Sequence, residues 1–193
     1  QAPPPQAGKS EELFVIVRDG KIGYVNAAGN VVIEPQFAYR DIYAIFLKTH
    51  EFSEGLVRMQ KGGKHGYIDK TGAFVIAPEF DKPGRFSEGL AWVLEGDKWG
   101  YMDRAGKIVI KPLFDHPGEF SEGLAGVKVG EKWGYIDKTG KFVAEPQFDE
   151  VRWFSGGLAA VKKGGKWGYM DKTGRFAVEP RFDANMRPVE GLE

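Results

Sequence analysis

The feature that most constrains this chain is a period. Gly66, Gly100, Gly134 and Gly168 stand 34 residues apart, each inside a phrase such as "EKWGYIDKTG" at residues 131–140, and Gly23 precedes Gly66 by 43. Self-similarity at that spacing marks one supersecondary unit copied along the chain, and it outranks any local motif. The units begin at Leu13, Leu56, Leu90, Leu124 and Leu158, giving repeats over 13–55, 56–89, 90–123, 124–157 and 158–191. Before them, residues 1–12 read "QAPPPQAGKSEE", a composition expected of a flexible or polyproline-like leader. The chain starts at Gln1 rather than Met, which leads us to expect a removed secretory signal, with a periplasmic or secreted location; a larger parent and the cytoplasm are the alternatives.

Each repeat reads as three short strands. In the fifth, the first runs over 158–163, and Gly164-Gly165 supplies the positive φ angles of a tight hairpin; Gly62-Gly63 does the same earlier. The second runs over 166–171. There Asp171-Lys172-Thr173-Gly174 offers a turn-capping carboxylate and a left-handed glycine, the chemistry of a type I turn with a G1 bulge. The third strand, "RFAVEP", "KIVIKP" or "AFVIAP", carries successive apolar residues that predict burial on both faces, and Pro35, Pro78, Pro112, Pro146 and Pro180 are expected to end it. An irregular link comes next, such as 114–124, whose two phenylalanines are expected to plug the gap between repeats. Period-two alternation places Trp133, Tyr135 and Asp137 on one face, predicting aromatic stacking from repeat to repeat, with Gly134 leaving room for a neighbouring backbone. The fold class these signals give is all-β: five three-stranded antiparallel units in an open twisted array. A small β-propeller is the alternative, disfavoured because 34 residues is short for a four-stranded blade.

Several function classes find no foothold. Lys plus Arg equal Asp plus Glu at 27 each, and the signs are interspersed, so no electrostatic footprint for nucleic acid or anionic membrane exists. The absence of cysteine excludes disulfides, thiol nucleophiles and thiolate metal sites. No apolar run approaches the roughly 20 residues needed to span a bilayer as a helix. His50, His65 and His116 lack partners at metal-site spacing. The repeated carboxylates Asp69, Asp103, Asp137 and Asp171, and Glu54, Glu88 and Glu122, could be paired for acid-base work. Turn capping explains the aspartates without coincidence, and near-identical copies oppose the asymmetry that catalysis needs. We therefore expect no catalytic residue, no metal and no cofactor.

The recurring phrases resemble the WG-containing repeat family of bacterial proteins. Residues 132–141 give its Lys-Trp-Gly-Tyr-Ile-Asp-Lys-Thr-Gly-Lys core without a substitution, and the likeness runs from Leu13 to the C terminus. The resemblance implies an all-β repeat used for binding or scaffolding, often in exported or surface proteins, with no established catalytic residue. The chain departs from the pattern at Ile22 and His65, which stand in the tryptophan position, and at Gly156, which stands in place of glutamate.

What escapes the repeat carries the functional expectation. Nine extra residues lie between Phe37 and Phe52, where Tyr43, Ile45 and Phe46 exceed what a short surface link can hide. They would either cap the end of the array or face a partner. Trp92 occupies a position filled elsewhere by Val15, Arg58, Gly126 and Ala160, so the scaffold demands no aromatic there. Arg152 and Trp153 occupy link positions held elsewhere by Gly118-Glu119 and Gly84-Arg85. Large aromatics at such positions are anchors for a peptide, protein or sugar, or fill local gaps. The expected function is a non-enzymatic binding or scaffold module with a protein or peptide partner. A carbohydrate-binding or carbohydrate-acting protein using exposed tryptophans and a purely structural spacer are the alternatives; neither nucleic acid nor membrane insertion is expected.

Overall fold

The computed structural model describes residues 12–38 and 50–184. Among these every regular element is a β-strand. The first repeat contains β1 (Leu13–Arg18), β2 (Lys21–Asn26) and β3 (Val31–Ala38); the second β4 (Val57–Lys61), β5 (Lys64–Ile68) and β6 (Phe74–Phe80). The third contains β7 (Ala91–Glu95), β8 (Lys98–Met102) and β9 (Ile108–Phe114); the fourth β10 (Leu124–Val129), β11 (Lys132–Asp137) and β12 (Phe142–Phe148). After β13 (Glu150–Val151), the fifth contains β14 (Leu158–Lys163), β15 (Lys166–Asp171) and β16 (Phe176–Phe182). Each repeat forms its own antiparallel sheet in sequence order, the last joined by β13, and none of the five closes into a barrel. The chain divides into two compact halves, at Glu79 and Phe80, and each is described by itself.

Turn chemistry sets the registers. Lys163 pairs with Lys166 across Gly164 and Gly165, both at positive φ, so two left-handed residues close the hairpin as the double glycine predicts. At the next corner Asp171 Oδ1 accepts hydrogen bonds from the Thr173 amide and hydroxyl and from the Arg175 amide, at 2.8, 2.7 and 3.1 Å. Those bonds hold its carboxyl below the usual carboxylate range, the Thr173 hydroxyl contributing most. Asp69 and Asp137 are engaged in the same way.

The third strands differ from expectation in two respects. They are edge strands, and their apolar runs are only partly buried: Ile110 is buried while its neighbours Ile108 and Val109 are exposed. The central second strand is the one enclosed on both faces, with Gly134, Tyr135 and Ile136 all buried. Nor does proline end the third strand, since β12 runs through Pro146 to Phe148. The register explains why. Trp133 pairs with Phe148 and Tyr135 with Ala144, so β12 bulges opposite Gly134 and the imino nitrogen falls where no ladder bond is required. A Cβ on Gly134 would lie 2.6 Å from the Ala144 oxygen and 2.9 Å from the Pro146 nitrogen, so the glycine of the Trp-Gly pair exists for this backbone approach.

Among the described residues the recurring ring contact from repeat to repeat is made by phenylalanines rather than by a Trp-Tyr ladder. In the second half Phe114 meets Phe142 and Phe148 meets Phe176, edge to face, at 6.3 and 6.1 Å; Phe37 and Phe74 repeat the contact in the first half. The tyrosines wedge between the two phenylalanines of their own repeat, as Tyr135 does between Phe148 and Phe154. Such pairs add about 0.5–1.5 kcal/mol each beyond burial. In the first half Ile22, in the tryptophan position, is fully buried beside Tyr24, Met59 and Ile68.

The Ser-Glu-Gly-Leu segments are hairpins too. Ser87 and Leu90 exchange backbone hydrogen bonds across Glu88 and Gly89, both left-handed. In the second half two of the glutamates reach the next copy: Glu88 Oε2 accepts from the Gly123 amide and Glu122 Oε2 from the Gly157 amide, both at 2.9 Å. Burial pushes the Glu88 carboxyl up, and the Lys138 ammonium and the Gly123 amide outweigh it, for a net fall. Gly156 takes the same left-handed position at φ 60°, which relieves backbone strain and leaves that hairpin without a carboxylate.

Candidate functional site

The links are less irregular than their sequences. Each crosses to pair with the first strand of the following repeat: the Gly84 amide donates to the Trp92 oxygen and the Arg152 amide to the Ala160 oxygen, both at 2.9 Å. In the second half a buried tyrosine clamps two of the links from the other side. Tyr101 Oη donates to the Gly118 oxygen at 2.8 Å and Tyr135 Oη to the Arg152 oxygen at 2.5 Å. Burial raises both phenols well above their ordinary range, so they remain protonated donors at any physiological pH. The link backbone is thereby fixed while its side chains differ from copy to copy.

Link and strand side chains are matched in bulk. The Trp92 indole lies on Gly84, where a Cβ would collide with the ring. Arg152 is opposite the small, buried Ala160. At the intervening link both partners are small: Gly118 lies against the backbone of Gly126, and a Cβ on Gly126 would meet a Val151 methyl at 2.9 Å and the Tyr135 ring at 3.6 Å. A bulky pair on either side of a glycine pair leaves a groove. Its volume is about 690 Å³, inside the ~300–1,000 Å³ range of small-ligand clefts.

Three tryptophans, Trp92, Trp133 and Trp153, line this groove together with Arg152 and Pro117. Trp153 is 64% exposed, whereas Trp92 is half-buried against the core around Tyr101 and Phe120. Trp133 is half-buried with its ring stacked on His116, 24° from parallel at 6.2 Å. The Arg152 guanidinium lies 5.0 Å from the centre of the buried Trp167 ring, and Nη2 is 3.6 Å from Glu150 Oε2. That arrangement holds the cation at the rim without fully neutralising it. Of the polar side chains in the wall, the Ser87 and Ser121 hydroxyls already donate to the Phe120 and Phe154 oxygens. Exposed Glu119 completes the lining.

The structure thus brings together Trp92, Arg152 and Trp153, which the sequence singles out separately. Tyr43, Ile45 and Phe46 lie outside the described residues, as does the question of a cap or a partner surface there. Sequence reasoning does not find Trp133, Gly118 or Gly126, since a tryptophan of the repeated phrase reads as part of the stack. The signal that finds them is the bulk of link and strand residues taken pairwise. Among the described residues no group of His, Asp or Glu side chains is arranged to hold a metal ion.

Comparison with known proteins agrees with this architecture. No curated protein sequence matches the chain. Among solved structures, a eukaryotic initiation factor superposes with a TM-score of 0.57 at 15% identity over 92% of this chain, which spans only 54% of that one. PorZ, a bacterial surface component of the type-IX secretion system of Porphyromonas gingivalis, covers 89% of the chain at 11% identity with a TM-score of 0.42, and the chain spans 26% of it. At these identities the likeness to the initiation factor concerns the fold alone. The sequence profile described as WG containing repeat matches five consecutive times, over residues 22–64, 66–99, 99–133, 133–167 and 167–192. The chain belongs to the WG-containing repeat family, whose β-repeat construction is that of a binding or structural module.

Proposed function

We propose that this chain is a non-enzymatic peptide-binding module and that the groove between Trp92 and Trp153 is its recognition surface. The observation that carries the reading is the side chain of Trp153, largely exposed on a link whose backbone is locked by Tyr135 and by Ala160. A rigid aromatic held in solvent contributes contact area with little conformational entropy to lose, the usual character of a binding anchor. Arg152 beside it supplies an oriented cation for a carbonyl or carboxylate. Glycan binding is the lesser reading. Stacking tryptophans suit a sugar face, but the serine hydroxyls of the wall are already engaged, which leaves Arg152 and Glu119 to read sugar hydroxyls.

Panning a random peptide library on the full chain and on Trp153→Ala tests the proposal. Ligands retained by the first and lost by the second support it. A library that yields none, beside a glycan array with hits abolished by the same substitution, would replace it with the sugar reading.

A further inference from the structure

The first repeat lacks a carboxylate that later repeats have, and a cavity stands in its place. In the third and fourth repeats the aspartate after the third-strand phenylalanine ties two elements together. Asp115 Oδ1 accepts from the Lys98 ammonium at 2.5 Å, and its Oδ2 accepts from the Gly130 amide, in the first hairpin of the next repeat, at 2.7 Å. Asp149 does the same with Lys132 at 2.5 Å and with the Gly165 amide at 3.0 Å. The fifth repeat keeps the lysine half of the arrangement, Lys166 with Asp183. One cation and one hairpin amide thus hold a carboxylate by both oxygens, through charge-assisted hydrogen bonds, the stronger kind.

In the first repeat that position is Ala38. The register is unchanged: Ile22 pairs with Phe37 and Lys21 with Ala38, as Trp133 pairs with Phe148. The hairpin of the next repeat is also kept. Lys61 pairs with Lys64 across Gly62 and Gly63, both at positive φ, so the two glycine amides lie outside the ladder. The lysine and the amides of the pattern remain, and the carboxylate does not. A cavity of about 320 Å³ opens there, within the range of small-ligand clefts, with Ala38, Gly62, Gly63 and Lys61 in its wall and Gln36 and Gln60 beside them. The Lys61 ammonium lies 5.9 Å from the centre of the Phe74 ring, and the Gln60 amide donates to the Gly63 oxygen at 3.3 Å. The hairpin's oxygen is therefore engaged while its amides remain donors. We propose that this cavity is a carboxylate-binding site, in which an acidic group from outside the chain takes the place of the missing aspartate. One oxygen is held by Lys21 and the other by the Gly62-Gly63 amides, with Lys61 adding positive charge at the wall. The site belongs to the first half and does not use the tryptophan groove, so the two readings stand or fall separately.

The test is an NMR titration of the isotope-labelled full chain with sodium acetate, against sodium chloride at equal ionic strength. Saturable shifts of the Gly62 and Gly63 amide signals are expected with acetate and not with chloride. Ala38→Asp should abolish the response, because the tethered carboxylate fills the site, and should raise the melting temperature by about 2–4 °C, as one added part-exposed ion pair would in a chain of this size. That rise also shows the variant to be folded. Lys21→Ala should weaken acetate about two- to fivefold, the size of such a pair. A parallel titration with N-acetylaspartate amide reads the source of the carboxylate. Tighter binding than acetate supports the site and assigns it to an aspartyl side chain of a partner protein; equal binding supports it and assigns it to a small organic acid. The proposal is overturned if acetate moves neither amide, if chloride moves them as far, if Ala38→Asp leaves the acetate response intact, or if Lys21→Ala binds acetate as its parent does.

Discussion

Two adjacent links in the second half of the molecule share a backbone and differ in almost everything else. At Gly118 and at Arg152 the chain makes the same turn toward the next repeat, and the same tyrosine of the repeated phrase donates to the link carbonyl. Yet the first link presents no side chain at that position and the second presents a cation followed by an exposed indole. The repeat therefore constrains the path of the link through backbone hydrogen bonds and leaves its side chains unconstrained. Stability and specificity occupy different atoms of one element. This is how a repeat protein varies its surface without retuning its core.

The sharpest way to break that division is to disturb the repeated backbone approach instead of the link. Gly134→Ala places a Cβ 2.6 Å from the Ala144 oxygen, and the obstacle is main chain rather than a movable side chain. Separating β11 from β12 should cost about 3 kcal/mol or more, a fall of roughly 6–12 °C in melting temperature for a chain of this size. A melt within about 2 °C of the parent, less than 1 kcal/mol on that scale, would show that the bulge yields freely and that the glycine has no such role.

Within the groove, the two tryptophans outside the repeated phrase should separate. Trp92 is half-buried with its ring on Gly84, so Trp92→Ala removes packing and should cost about 2–3 kcal/mol. Trp153 is mostly in water, and Trp153→Ala should stay within about 0.5 kcal/mol while abolishing ligand capture. Chemical denaturation of both variants beside a binding assay reads the contrast. Equal destabilisation would make Trp153 a packing residue and remove the main support for the binding reading. A smaller loss is expected for Tyr135→Phe, which strips the donor from the Arg152 carbonyl at a buried site. That loss is about 1–2 kcal/mol, with weakened ligand binding because the link that carries Trp153 is loosened.

Much of this architecture is legible in the sequence, for a physical reason. The number of strands, the hairpins and the Asp-x-Thr-Gly corners come from residues whose backbone preferences are local, and five copies let each position be checked against the others. Burial of the third strand is different. An apolar run such as Ile108-Val109-Ile110 reads the same on an enclosed strand and on an edge, and only the sheet order decides. The prolines mislead because a bulge depends on the partner strand, here on the missing Cβ of Gly134. The groove is half legible. Trp92 and Trp153 stand out as departures from the repeat, but joining them requires knowing that Gly84 pairs with Trp92 and Arg152 with Ala160. Those contacts span eight residues of link and turn with no local signature.

The contrast between repeated and variable positions extends to pH, where the smallest effects are expected. Carboxylates with lowered pKa values stand at repeated positions, among them Asp115 beside the Lys98 ammonium and the Gly130 amide, Asp149 beside Lys132 and the Gly165 amide, and Asp69, Asp137 and Asp171 at their threonine-capped corners. A carboxyl whose folded pKa lies below its unfolded value of about 3.9 stabilises the fold above that value. The contribution is lost as pH falls through the folded pKa. Stability should therefore be flat from about pH 8 to pH 5 and decline steadily below about pH 4, with many exposed groups each adding a small share. Removing one, as in Asp149→Asn, should flatten the acid limb slightly and leave the neutral plateau nearly in place, because Asn keeps an oxygen for the Gly165 amide. An Asp149→Asn variant whose acid limb matched the parent's in a set of melts from pH 5 down to pH 2 would mean that this carboxylate carries no share of the acid decline.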